Sequence, residues 1–433
     1  MIDYAAFREA KIRVAPARGL DVRLSDLPDV LFDWQKAIVR WALLKGCAAI
    51  FADCGLGKSF MQLAWAEPFE RTLILAPLCV AEQTVGEGAK LGIGVHYART
   101  AHEAAGHKIV ITNYERLDEF DLDDYEAVVL DESSILKAFD GKTRTKLIAA
   151  CQHVKYRLCC TATPSPNDIA ELANHAEFLG LMTRAEFLAS WFVHDDEGWR
   201  MKGHAVQPFY RWLASWAIAL RSPADLGFSD EGFKLPKLTI RDHVLSVDGT
   251  TGDMLFPELS TKGLSGRLTA RRGSLEQRIE KTVQLWRGKS QCQWLIWCGL
   301  NEEADGIAAA IPGAVNVEGS DSYAEKVGAV QGFLDGSIRV LVSKVKILGY
   351  GMNFQHCHHA VFCGLGDSYE QYYQAIRRCW RFGQKTPVEA HVIISEAEQV
   401  VVENVRRKEA AAAALSQELI VHMRDFEREE LAV

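Results

Sequence analysis

No apolar run in the chain approaches the roughly 18 residues that a membrane span requires; the stretch Trp212–Leu220 is about half that length. No apolar block follows Asp3, Arg8 and Glu9, so a secretory signal is not expected. The eleven cysteines include no CxxC pair and no regular spacing, which reads as reduced, mostly buried thiols rather than a disulfide framework. Positive charge is in deficit as well, 49 Lys and Arg against 57 Asp and Glu, for a net charge of −8. That balance argues against a protein wrapped in nucleic acid along its whole surface. These absences exclude the secreted, membrane and disulfide-scaffold classes and lead to the expectation of a cytoplasmic protein with no membrane partner.

What is present is enough for two domains: 433 residues, 48% hydrophobic and 24% charged, the balance of a globular chain. Charge is unevenly spread. From Lys262 to Lys289, eight basic residues (262, 267, 271, 272, 278, 281, 287, 289) meet only Glu276 and Glu280, a local +6. The run reads either as a solvated helix face or as a surface tracking phosphates.

Strand-length apolar runs recur at Ala48–Phe51, Thr72–Leu75, Ile109–Ile111, Ala127–Leu130 and Arg157–Cys160, separated by amphipathic stretches. This alternation predicts βαβ units and a parallel sheet covered on both faces, with ligands at the carboxyl ends of the strands. A second alternating block offers Trp294–Trp297, Ala314–Val317, Val340–Ser343, Ala360–Cys363 and Ala390–Ile394. Between the blocks, aromatics crowd residues 187–216 at helix-like spacing, and a stretch over 247–266 rich in glycine and serine, with Pro257, reads as a connector. The expected organisation is an N-terminal extension (1–27), a first α/β domain (28–180), a mainly helical insertion and linker (181–275), a second α/β domain (276–398) and a C-terminal helix (399–433). The aromatics suggest the core of the inserted lobe or, alternatively, a stacking platform for bases.

After the first apolar run comes Ala52-Asp-Cys-Gly55-Leu56-Gly57-Lys58-Ser59, followed by a helical pattern. Glycines let backbone N–H groups turn inward on phosphates, a lysine reaches the β and γ oxygens, and a serine hydroxyl holds Mg²⁺. Ala52 stands where the strict pattern has glycine. Asp131 and Glu132 end the run at 127–130. Adjacent carboxylates there suit metal-assisted phosphoryl transfer, Asp131 in the Mg²⁺ shell and Glu132 orienting water. In the second block, Arg377, Arg378 and Arg381 lie about one helical turn apart, and arginines of this kind stabilise charge on a transferring phosphoryl group. The run His356-Cys357-His358-His359 with Cys363 lacks the paired spacing of a zinc site and is not expected to hold metal.

In these residues and their order the chain resembles the superfamily 2 helicases and translocases, most closely the Swi/Snf-type branch, over about Leu31 to Ile394. Leu31-Phe-Asp-Trp34-Gln35 looks like the adenine-reading segment, with Gln35 as reader. Residues 52–59 match motif I, Ala76-Pro77 with Glu82-Gln83 match motif Ia, and Ile111–Glu115 resembles the next strand-end motif. Asp131-Glu132-Ser133-Ser134 stands at the Asp-Glu-Ala-His box, followed by Lys137, and Thr161-Ala-Thr163-Pro164 is similar to motif III. Gly349-Tyr-Gly351-Met-Asn353-Phe354 is similar to motif V, and Gln374–Gln384 to motif VI. Ser133-Ser134 in place of Ala-His, and Ala162 in place of the branch's usual glycine, depart from the pattern at the link between the box and motif III. The compact size and the lead-in Gly366–Gln374 look like helicases carried by bacteriophages and prophages, which would work in a bacterial host's cytoplasm.

The resemblance implies two RecA-like parallel-sheet domains in tandem that clamp ATP·Mg²⁺ and ratchet along nucleic acid. ATP contacts would come from Gln35, Gly55, Leu56, Gly57, Lys58, Ser59 and Gly351. Catalysis would use Lys58, Asp131, Glu132, Arg378 and Arg381, with coupling through Thr161, Thr163 and Gln374. Mg²⁺ would be held by Ser59 and Asp131. Pro77, Leu78, Thr112, Ser343 and Lys344 would meet backbone phosphates, which position without reading sequence. Duplex or forked DNA is the expected track. The alternatives are a nucleotide-dependent switch with little turnover, an RNA helicase, or the motor subunit of a nuclease, restriction, replication or recombination complex, with partner proteins supplying the rest.

Overall fold

The computed structural model describes residues 14–77, 80–137, 141–165, 168–195, 198–246, 272–349, 352–366 and 368–431. The expected connector at 247–266, together with Leu78 and Gly351, lies outside the described residues. The chain divides into two units, Met1–Phe233 with Ala411–Val433, and Lys234–Ala410.

In the first unit the strands are β1 (Cys47–Ala52), β2 (Thr72–Ala76), β3 (Val95–Tyr97), β4 (Ile109–Asn113), β5 (Ala127–Asp131) and β6 (Tyr156–Cys160). An antiparallel hairpin follows, β7 (Phe192–Asp195) with β8 (Gly198–Met201), and then β9 (Ala217–Leu220). The main sheet has the order β3-β4-β2-β5-β6-β1-β9 and every pairing in it is parallel. Strands β2, β4 and β5 are buried along their whole length, because a parallel sheet is covered on both faces. Alternate residues serve the two faces. Ala49, Phe51, Leu73 and Val128 pack with Phe187, Phe209, Trp212 and Trp216, whereas Ile50, Ile74, Ile111 and Leu158 pack with Trp34 and Trp65.

This arrangement corrects the expectation of a helical insertion over 181–275. The aromatic segment forms two short helices, Arg184–Trp191 and Val206–Ala214, that cover one face of the first sheet, and β9 then joins that sheet beside β1. The aromatics are core, with Phe187, Phe209 and Trp216 fully buried. The C-terminal helix runs Gln399–Leu431, and its residues from 411 onward belong to the first unit. There Arg221 bonds Ser416, Gln417 and the Ala413 carbonyl, and the Glu427 carboxyl accepts the Ala219 N–H of β9 at 2.7 Å.

The second unit is built on β10 (Leu238–Leu245), β11 (Trp294–Cys298), β12 (Ala314–Val317), β13 (Val340–Lys344), β14 (His359–Cys363) and β15 (Val388–Ser395). The order is β10-β15-β14-β11-β13-β12, again wholly parallel. Residues 181–275 therefore supply a strand to each sheet. Two parallel-sheet α/β domains in tandem with a C-terminal helix are the architecture expected of RecA-like lobes.

The basic run changes character on folding. Arg278 is fully buried, paired with Glu303 at 3.0 Å and Glu398 at 3.5 Å. Glu303 also accepts the N–H groups of Gly299 and Leu300, and Glu398 accepts that of Ser395, so this ion cluster ties three segments of the second unit together. Lys289 is bonded to Glu389 at 2.6 Å. The run is thus neither a uniform phosphate-tracking surface nor a wholly solvated face; Lys262, Arg267 and Arg271 lie outside the described residues.

Candidate active site

Strand order decides what meets in the first unit. β6 lies between β1 and β5, and Cys160 is in register with Ile50 on one side and Asp131 on the other. The loop after β1, the segment after β6 and the end of β5 therefore share one carboxyl edge, which brings residues 52–59, Thr161–Thr163 and Asp131–Glu132 together.

The loop folds as its glycines require. Gly55 and Gly57 have φ of 88° and 74°, left-handed conformations that L side chains rarely adopt. At Gly57 a Cβ would come within 2.5 Å of Gln35 Nε2. Gln35 is buried, donating to the Leu56 carbonyl at 3.0 Å and accepting from Phe32 N–H at 3.0 Å. It props the loop, and this bonding leaves its amide one N–H for another partner. Lys58 opens the helix Lys58–Ala66, and its Nζ donates to the Ala52 and Asp53 carbonyls at 2.9 and 3.3 Å. Those bonds are ones an incoming phosphate can replace. Ser59 follows in the first turn.

Across the edge, Asp131 is nearly buried, and its carboxyl is pushed up to about 7, by burial first and the neighbouring Glu132 second, while Lys58 works in the opposite direction. Tyr114 holds the backbone there, its hydroxyl donating to the Asp131 carbonyl at 2.6 Å. Glu132 donates its N–H to the Asp131 carboxylate at 3.1 Å. It has φ 55°, the one positive value among described non-glycine residues, which costs of order 1–3 kcal/mol. Its Oε2 is buried without a hydrogen-bond partner. Two adjacent carboxylates, the buried Asp131 and the half-buried Glu132, with Lys58 acting on Asp131, offer hard oxygen donors of the kind that fit Mg²⁺. When bound, that ion supplies charge neutralisation to phosphate oxygens.

Two residues were not legible as partners. Gln62 is fully buried one helical turn after Lys58 and acts on the Asp131 carboxyl; the i,i+4 spacing is the signal that would have found it. His175 is the other. The resemblance calls for Ala-His after Asp131-Glu132 and finds Ser133-Ser134, yet an imidazole still arrives: His175 Nε2 lies 3.2 Å from Ser133 Oγ. The next residue back, Asn174, donates to the Leu136 carbonyl at 2.7 Å. Both sit on the helix Leu172–Phe178, in the segment after Thr161–Pro164. Within that motif, Thr161 Oγ1 accepts the Thr163 N–H at 3.1 Å. Burial pushes His175 down to about 4, so it is a neutral ring at neutral pH.

In the second unit the helix Tyr369–Cys379 carries Gln374 and Arg378 on its buried side. Arg378 donates to the Gln374 carbonyl at 3.0 Å, the Gln374 side chain at 2.5 Å and the Met352 carbonyl at 2.9 Å. Arg381, more exposed, shares the Met352 carbonyl at 3.3 Å. The segment similar to motif V and the helix similar to motif VI thus meet through two guanidinium groups. Arg377 stacks on Tyr373 and Trp380 instead. Gln384 bonds the Cys357 and Cys379 carbonyls and is a structural clasp.

Of the residues expected to meet phosphates of a nucleic acid, Thr112 and Ser343 are fully buried, and Ser343 Oγ donates to the Val317 carbonyl at 2.8 Å. Neither hydroxyl is presented to solvent, because each lies within a strand interior to its sheet, one residue before the strand ends. Pro77 and Lys344 are half-buried at strand ends.

Residues 277–383 match the helicase conserved C-terminal domain. That span runs from the helix bearing Arg278 through β14 to Gly383, and so includes Gln374, Arg378 and Arg381. No curated protein matches the chain. Among solved structures it is similar to the SWI2/SNF2 ATPase core of Sulfolobus solfataricus in complex with dsDNA, at 16% identity and a TM-score of 0.44, over 92% of this chain and 96% of that one.

Proposed function

We propose that the chain is an ATP-driven nucleic-acid motor of superfamily 2, of the Swi/Snf type, that uses ATP·Mg²⁺ hydrolysis to move along DNA. The observation that carries this reading is the joint presence of a Lys58 phosphate loop facing Asp131 and Glu132 on one sheet edge and a helicase C-terminal domain in the same chain. Lys58 and Ser59 bind the triphosphate and its metal, Asp131 joins the metal shell, and Glu132 orients the attacking water. Arg381 is the second unit's charge-stabilising group, while Arg378, held by three acceptors, fixes the Met352 segment. The choice of DNA, duplex or forked, rests on the motif set's resemblance to the Swi/Snf branch.

Steady-state ATP hydrolysis tests the reading, measured alone and with single-stranded, duplex or forked DNA, or RNA. Duplex or forked DNA is expected to stimulate hydrolysis strongly. Lys58→Ala should abolish it, and Glu132→Gln should lower kcat by about 10²–10⁴-fold while retaining ATP binding. Stimulation by RNA alone would overturn the DNA assignment, and no hydrolysis on any nucleic acid would overturn the autonomous motor.

A further inference from the structure

Taken alone, the run His356–His359 lacks the paired ligand spacing of a metal site. The fold supplies a ligand from elsewhere. Cys292 Sγ and one ring nitrogen each of His358 and His359 lie within 4.8 Å of one another. Cys292 closes the turn before β11, its N–H donating to the Lys289 carbonyl, and the two histidines stand at the start of β14. β11 and β14 are paired neighbours with Trp294 opposite His359, so both segments reach the same amino-terminal edge of the sheet.

The ligand rings are oriented before any ion arrives. Trp294 stacks on His359 with centroids 4.8 Å apart and planes 21° apart. His359 is 3% exposed, and its Nδ1 is buried without a hydrogen-bond partner. Leaving such a nitrogen buried and unsatisfied is costly. Glu389 Oε2 is 3.7 Å away and is engaged by Lys289 at 2.6 Å.

We propose that Cys292, His358 and His359 form a binding site for a borderline-soft divalent cation of the zinc class. A thiolate with two imidazoles is a donor set that selects such an ion over magnesium or calcium. The half-buried positions of Cys292 and His358 leave the fourth coordination position to solvent, since Glu389 is committed to Lys289. The site lies at the amino ends of the strands, opposite the carboxyl edge where ligands of such sheets bind. Its role is to pin the turn before β11 to the start of β14, independently of the nucleotide chemistry.

The test uses the full chain, stripped with chelator and titrated with Co²⁺. One equivalent should produce a thiolate-to-cobalt charge-transfer band in the near ultraviolet together with visible ligand-field bands, and Zn²⁺ should displace both. Cys292→Ser should lose the charge-transfer band, and His358→Ala should weaken Co²⁺ affinity by about tenfold or more. Zn²⁺ should raise the thermal midpoint of the second unit in the wild type and in neither variant. Both substitutions fall at half-buried positions, and circular dichroism checks that each variant folds. Absence of the band, its persistence in Cys292→Ser, or an equal Zn²⁺ shift in all three proteins would overturn the site.

Discussion

At the scale of single residues, the site in the first unit is a set of groups kept from their usual solution. Asp131 is buried beside Glu132 and Lys58, Glu132 sits in a left-handed conformation, and Lys58 spends its ammonium on loop carbonyls. Strain and unmet polar groups at one edge mark where binding energy is to be gained. Most of these residues were legible, because phosphate chemistry demands fixed residue types at fixed spacing. His175 was not: its partnership with Ser133 depends on a helix folding back under the acidic box, which no local spacing encodes. It also makes a pH prediction. The unfolded chain takes up a proton at this ring below its ordinary 6.5, while the folded ring does so only near 4. Stability is therefore lost as pH falls from 6.5 towards 4, by up to about 3 kcal/mol. His175→Gln keeps an amide where Nε2 meets Ser133 but cannot titrate, so denaturant unfolding at pH 7 and pH 4.5 should show a smaller acid loss than in the wild type. Parallel losses in the two proteins would contradict the assignment.

At the scale of elements, apolar runs located ten strands in two blocks, since interior parallel strands are continuous hydrophobic segments. The strands that escaped are edge or short ones. β10 reads Leu-Thr-Ile-Arg-Asp-His-Val-Leu with several exposed positions, because its outer side has no neighbour. β9 has four residues directly after an aromatic helix, where an apolar run cannot be told from a helical continuation. β9 is also an edge, and unpaired edges invite association. The C-terminal helix covers it: the Glu427 carboxyl is fully buried, pushed well above the carboxylate range by that burial, and accepts the Ala219 N–H. Glu427→Gln should leave stability near wild type because it preserves the acceptor. Glu427→Ala should destabilise the first unit by about 1–3 kcal/mol, measured by chemical denaturation. An Ala variant as stable as the Gln variant would show that the bond contributes nothing.

At the scale of the whole molecule, chain order and spatial order differ in ways that no local pattern signals. The last residues of the chain complete the first unit, and the segment between the two α/β blocks contributes a strand to each sheet. Net charge misleads at this scale too, because Arg278, a fully buried member of the basic run, holds the second unit together through Glu303 and Glu398. The proposal at this scale is that hydrolysis at Lys58, Asp131 and Glu132, with arginines from the segment matching the helicase C-terminal domain, drives movement along DNA. Displacement of a third strand from a DNA triplex measures that movement without requiring the duplex to open. ATP-dependent release is expected of the wild type and none of Lys58→Ala. Robust DNA-stimulated hydrolysis with no release of the third strand would contradict it.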